Sequence, residues 1–244
     1  MAPLWYWIGT AAMAFGSVVF GVQAARAPER RWQSLWTLYF FICLIAFALY
    51  LIMATGYGAY TADGGHPTVW IRYVTWFLST PLLILALTYL GRSSAPLVGG
   101  LLGANAFMIA TGFVATILPE DTPAALHIVW WAISTGAYVG IAWAFIGRYK
   151  REARIALPNS SSVFDRVVTV HLVLWTAYPV VWMLSAEGLG VVSSGTEAML
   201  FAVLDIAAKV GFGFLAASSL RQIEANGDAG AYAARATAPV VASA

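Results

Sequence analysis

The chain has 244 residues, of which 61% are hydrophobic and 10% charged, with a net charge of +2 and one cysteine. These proportions exclude a disordered chain, a disulfide-stapled secreted domain and a basic nucleic-acid binder. A membrane-spanning helix needs roughly 20 mostly apolar residues, so seven of them take about 140 to 160 residues and leave short loops.

Apolar runs broken by charges, glycine or proline predict seven spans, at about residues 4–25, 35–57, 69–90, 96–118, 125–147, 163–186 and 196–219. The first ends near Val-Gln-Ala, as a secretory signal would. It has no basic stretch ahead of it and is too long for one, so it is read as a membrane helix. Cys43, inside the second span, reads as packing. No repeat or second domain is evident. The reading is therefore an all-α membrane protein, with a seven-helix domain over residues 1–220 and an Ala-rich cytoplasmic tail over 221–244 that is expected to be mobile.

Orientation follows from the basic residues. Arg26, Arg30 and Arg31 follow the first span and Arg92 the third; Arg148, Lys150, Arg151, Arg154 and Arg166 lie between the fifth and sixth, and Arg221 and Arg235 follow the seventh. No Lys or Arg precedes the first span or follows the second, fourth or sixth. The positive-inside rule puts the N-terminus outside and the C-terminus in the cytoplasm, which also requires an odd number of helices.

Arg72 and Lys209 remain inside predicted spans, with one acid at depth, Asp205. Ionisable groups there are expensive and mark function by default. Asp205 and Lys209 are four apart, on one face of the seventh span and one turn from each other. A buried structural ion pair is the plainer alternative. In the third span Arg72, Thr75, Trp76 and Ser79 form one helical stripe, followed by Pro81. The sixth presents Trp175, Tyr178, Pro179 and Trp182, and the fifth Trp131 and Ser134. These aromatics sit at mid-span rather than in an interfacial belt.

Together these strings carry a resemblance. Arg72 to Leu83 (RYVTWFLSTPLL), Ala104 to Gly112 (ANAFMIATG), Trp130 to Thr135 (WWAIST), Leu174 to Trp182 (LWTAYPVVW) and Leu204 to Gly213 (LDIAAKVGFG) closely resemble the microbial, type 1 rhodopsins in order and spacing. The resemblance spans roughly residues 5 to 220. It implies all-trans retinal joined to Lys209 as a Schiff base and isomerised by light to 13-cis. It also implies a chromophore pocket of Trp76, Met108, Thr111, Trp131, Ser134, Tyr138, Trp175, Tyr178 and Trp182. Asp205 is then a counterion, hydrogen-bonded by Tyr50 and Tyr178. Flat aromatic walls suit a rod-like apolar cofactor. A multi-pass plasma-membrane location and a homotrimer are further implications.

Outward proton pumps of this family carry an aspartate where this chain has Thr75, and a proton donor where it has Ala86, about 16 Å further along the helix at 1.5 Å per residue. A threonine cannot take the proton. Counting the protonated imine, Arg72 and Asp205 leaves a net charge of +1, which a bound anion neutralises. At an effective dielectric near 20, an anion about 4 Å from the imine gains on the order of 4 kcal/mol. Thr75 and Ser79 are placed to offer it hydroxyls. Thr75, Ser79 and Ala86 also form the halorhodopsin pattern, which implies a light-driven inward chloride pump of bacterial type. In that scheme chloride enters near Arg72, rests between the imine and Thr75/Ser79, and crosses to the cytoplasmic side after isomerisation.

One feature departs from that pattern. Glu187 and Glu197 match the paired acids that release protons in archaeal outward pumps, while solvated loop acids are the plainer alternative for both. A photosensor signalling to a partner, a light-gated anion channel and residual proton transport are the rival readings. His66, His127 and His171 have no metal-ligand spacing and are expected at loops or in helix packing, and no phosphate loop or nucleophile elbow occurs. Gly211 and Gly213 are small enough to admit a second, carotenoid chromophore at the surface.

Overall fold

The computed structural model describes residues 2–61, 67–119 and 121–233. Seven helices are long and apolar enough to cross a membrane: α1 (Pro3–Arg26), α2 (Arg30–Ala54), α3 (Ile71–Leu90), α4 (Ala95–Ile117), α5 (Ala124–Ala156), α6 (Pro158–Leu184) and α7 (Ser194–Ala225). A short antiparallel hairpin, β1 (Tyr60–Thr61) with β2 (Pro67–Thr68), links α2 to α3. A single helical turn, α8 (Gly230–Ala233), ends the described chain.

The helices begin where local chemistry favours a start. Ser94 precedes α4 with proline in the first turn, Pro158 opens α6, and the Ser193 hydroxyl accepts from the Thr196 amide to cap α7. Two helices outrun the apolar stretches that revealed them. α2 starts at Arg30 rather than near 35, and α5 continues to Ala156 rather than stopping near 147. Arg148, Lys150, Arg151 and Arg154 therefore ride on helix, not loop. Hydropathy reports the thickness of the apolar slab, whereas the helix continues into water on pairs such as Arg148 with Glu152, at 2.9 Å and four residues apart.

The C-terminal segment also differs from expectation over residues 221–233. α7 extends to Ala225, and the chain then folds back so that Asp228 is buried, accepting from Ser160 Oγ at 2.7 Å and Asn159 Nδ2 at 3.1 Å. Tyr232 Oη donates to the Leu90 carbonyl at 2.7 Å. Arg235, the rest of the tail and His66 lie outside the described residues.

Burial is uneven across the bundle. Of the most apolar stretch of each helix, 61% is buried in α3 and 50% in α7, against 17% in α5. α3 and α7 form the centre and carry the groups at depth. Close approach allows this: a Cβ on Gly213 would lie 2.6 Å from the Phe20 ring. Gly213 is thus spent on packing α7 against α1, and only Gly211 of the two small residues is exposed.

Candidate functional site

Past Asp205, α7 widens into a π turn over Ala207–Gly211, with Lys209 at its middle. Such turns recur at functional sites because they re-aim a side chain without ending the helix. Asp205 and Lys209 are each 1% exposed, and the ammonium donates to Asp205 Oδ1. Tyr50 Oη donates to Asp205 Oδ2 and Tyr178 Oη to Oδ1, each at 2.8 Å, while Trp76 Nε1 approaches Oδ1 at 3.4 Å. Donors from α2, α3, α6 and α7 thus fill both oxygens, which is how a buried carboxylate is tolerated.

Beside Lys209 lies an apolar cavity with an empty volume of about 780 Å³ including its mouth, within the range of small-molecule sites. Trp76, Trp131, Tyr138, Trp175, Tyr178 and Trp182 wall it, with Met108, Ser134 and Lys209. Trp182 Nε1 donates to Thr116 Oγ1 at 2.8 Å, Trp131 Nε1 to the Pro179 carbonyl at 3.2 Å, and Tyr138 Oη bonds Thr176 Oγ1 at 2.6 Å. These bonds pin the rings as walls. Thr111 is not among the lining residues; its hydroxyl donates to the Phe107 carbonyl of its own helix at 2.8 Å. Gly112 and Ala115 form the wall there instead. The wall is tight at Gly112, where a Cβ would meet Ser134 Oγ at 3.0 Å and push it aside by a few tenths of an ångström. An elongated apolar molecule whose reactive end must reach a lysine amine fits these walls.

On the N-terminal side of Asp205 lies the second charged centre. Arg72 Nη1 is 2.5 Å from Glu197 Oε1, with both side chains at most 7% exposed, and the guanidinium carbon sits 4.2 Å over the Phe201 ring. Glu197 is therefore not a solvated loop acid. With it included, the site sums to zero: Lys209 and Arg72 against Asp205 and Glu197. The count of +1 made from the sequence left Glu197 out. Glu187 is half-buried and accepts from Ser185 Oγ at 2.6 Å.

Thr75 and Ser79 lie on α3 between the two centres, 1% and 0% exposed. Their hydroxyls turn back to their own helix, Thr75 to the Ile71 carbonyl at 3.2 Å and Ser79 to the Thr75 carbonyl at 2.7 Å. The longer Thr75 bond is the weaker of the two. His127 Nδ1 lies 2.8 Å from the Ala115 carbonyl. His171 is 2% exposed, with Nε2 unpartnered and its ring centre 4.3 Å from that of Trp175. Among the described residues no cluster of three His, Cys, Asp or Glu side chains can hold a metal.

Seven membrane helices, an aromatic cavity and a buried lysine–carboxylate pair beside it define a membrane protein with room for an apolar ligand next to a lysine amine. A family model described as "Bacteriorhodopsin-like protein" matches residues 1–223. The bacteriorhodopsin of Haloterrigena sp. (strain arg-4) is 37% identical over 225 residues, 91% of this chain and 89% of that protein. The crystal structure of a cyanorhodopsin from Calothrix sp. NIES-2098 superposes with a TM-score of 0.85 at 34% identity, covering 93% of this chain and 98% of that one. A thermophilic rhodopsin from Rubrobacter xylanophilus gives 0.85 at 35%, covering 94% and 100%. The chain belongs to the bacteriorhodopsin-like family of microbial rhodopsins. It is a multi-pass membrane protein of a family that carries retinal on a lysine and includes light-driven transporters and sensors.

Proposed function

We propose that the chain is a light-driven inward anion pump, with chloride as the natural cargo, Lys209 as the point of attachment of retinal, and the N-terminal ends of α3 and α7 facing outward. The reading rests on one observation: on α3, Thr75 stands one turn from Arg72 and Ala86 stands in the apolar half, so the helix offers neither a proton acceptor nor a donor. The outward placement of the N-terminus is supported by the basic residues near the opposite end.

Retinal, when bound, supplies light absorption and an isomerisation beside Lys209. The chain's residues do the rest. Trp76, Trp175 and Trp182 would flank an apolar ligand and exclude water from the cavity. Asp205, fixed by Tyr50 and Tyr178, balances the cation at Lys209. Arg72 offers charge to an arriving anion, and the loosely held Thr75 hydroxyl rotates from the Ile71 carbonyl to donate to it. Leu83, Ala86 and Leu87, each at most 2% exposed, put no charged side chain on the far side of Lys209 to draw it back.

A second reading, outward proton transport with Asp205 as acceptor, is favoured by the buried Glu197 pairing with Arg72. Light-driven pH change in a cell suspension separates the two. An inward anion pump gives passive proton uptake that a protonophore enhances, whereas a proton pump acidifies the medium and the protonophore abolishes it. Thr75→Asp should restore an acceptor, weaken the halide dependence of the colour and give outward proton flux.

A further inference from the structure

The anion site carries a difficulty that the geometry itself resolves. With Lys209, Asp205, Arg72 and Glu197 in place the buried charges cancel, so an added anion leaves the interior at −1. Arg72 is also engaged already, its guanidinium 2.5 Å from Glu197 Oε1 and capped by the Phe201 ring. A halide arriving from the N-terminal side must share or take that guanidinium. Glu197 has a route to a proton, because it lines a second cavity with Tyr6, Met53, Tyr57, Val69 and Ser194, with about 680 Å³ of empty space including its mouth.

We infer that Glu197 and the anion compete for Arg72, so that uptake of one anion is accompanied by uptake of one proton on Glu197 from the outer solution. The carboxylate gains an O–H bond, gives up its claim on the guanidinium and leaves the bound anion as Arg72's counter-charge. The interior remains neutral before and after. This rests on the anion reading above and names what that reading lacks, a way for an electrically balanced site to accept a charge. Among the described residues, the titratable or charged groups facing the pair are Tyr6 from α1, Tyr50 from α2, Tyr73 from α3, Glu187 after α6, and Asp205 with Lys209 beyond Phe201 on α7. Glu197 is the carboxylate among them in direct contact with Arg72. Asp205 is committed to Lys209, Tyr50 and Tyr178, and Glu187 to Ser185.

By linkage, a one-proton coupling makes the halide dissociation constant rise about tenfold per pH unit wherever Glu197 is ionised. The full-length pigment, in sulfate buffer between pH 5 and 9, is titrated with chloride in the dark and the colour shift followed. The same addition in weakly buffered solution is monitored with a pH dye. The expected result is a dissociation constant that climbs with pH, with one proton taken up per anion. Glu197→Gln should give a tight, pH-independent constant and no proton uptake. Glu197→Asp, which keeps a titrating carboxylate, should retain both effects and guards against a Gln variant that misfolds. A colour shift with a pH-independent constant and no proton uptake in the parent protein overturns the coupling and leaves the anion reading standing. No colour shift at any pH overturns the anion reading, and the coupling with it.

Discussion

On one side of Lys209, along α3 and α7, lie Asp205, Arg72 and Glu197, with Tyr6, Tyr50 and Tyr178 around them. On the other side, over a similar length of the same helices, lie Leu83, Ala86, Leu87, Leu90, Phe212, Ala216 and Leu220, each at most 2% exposed. The first half tolerates charge because every ionic group has a partner within it, which offsets the desolvation that burial imposes. The second has no such partners and is closed by packing, with Tyr149 Oη on α5 donating to the Leu87 carbonyl at 2.8 Å. Among the described residues, buried ionic groups thus lead to Lys209 from one side only. Transport to the other side requires that packing to open, whatever the ion.

The largest expected effect is at the junction of the halves. Among the described residues, Lys209 is the one amine in the cavity wall, so Lys209→Ala should abolish visible absorbance with added retinal entirely. A coloured variant would dispose of the attachment site. Asp205→Asn should come next. Removing one member of a buried pair costs about 3–5 kcal/mol, so the colour of the protonated pigment should fade at a pH lower by roughly two to four units. A titration of colour against pH that matches the parent would show that the charged half does not act on Lys209.

The two halves were unequally legible in the sequence. Seven spans followed from composition, and Asp205 with Lys209 from their spacing, because helical periodicity is local. Glu197 was not legible as a buried group. Its partner Arg72 is 125 positions away, and a glutamate near a helix end looks the same whether it meets water or an arginine. The charge count built on the sequence went wrong there by one unit. The resemblance, which flagged Glu197 as part of a proton-releasing pair, was the one signal pointing to it. Thr111, which the resemblance placed in the chromophore pocket, turns its hydroxyl to the Phe107 carbonyl of its own helix, a local bond that spacing alone does not reveal. The helical extension of α5 was hidden because its charged turns end the apolar run but not the helix.

In the apolar half, Leu87→Ala should open a cavity where packing holds α3. Truncating a buried leucine costs about 2–5 kcal/mol, read as a lower temperature of thermal bleaching. If this layer is the barrier to passage, the same variant should also speed the late steps of the photocycle. Bleaching that is unchanged would mean the layer is already loose or wet, and the contrast between the halves would shrink.

The smallest effect tests how dry that half is. His171, one turn beyond Trp175, lies among Phe145, Trp175 and Phe212, with Nε2 unpartnered. A buried polar atom without a partner costs about 1–3 kcal/mol, while the ring contacts return about 0.5–1.5 kcal/mol each. Leucine is similarly bulky, keeps the apolar packing and removes the orphaned nitrogen, so the two contributions nearly cancel. His171→Leu should leave the bleaching temperature unchanged or slightly higher, with no shift in the dark-state colour. A loss of several kcal/mol would mean that the imidazole is hydrogen-bonded to internal water. The layer would then hold a wet polar group one turn from the cavity, and the division at Lys209 would be one of charge alone rather than of charge and water.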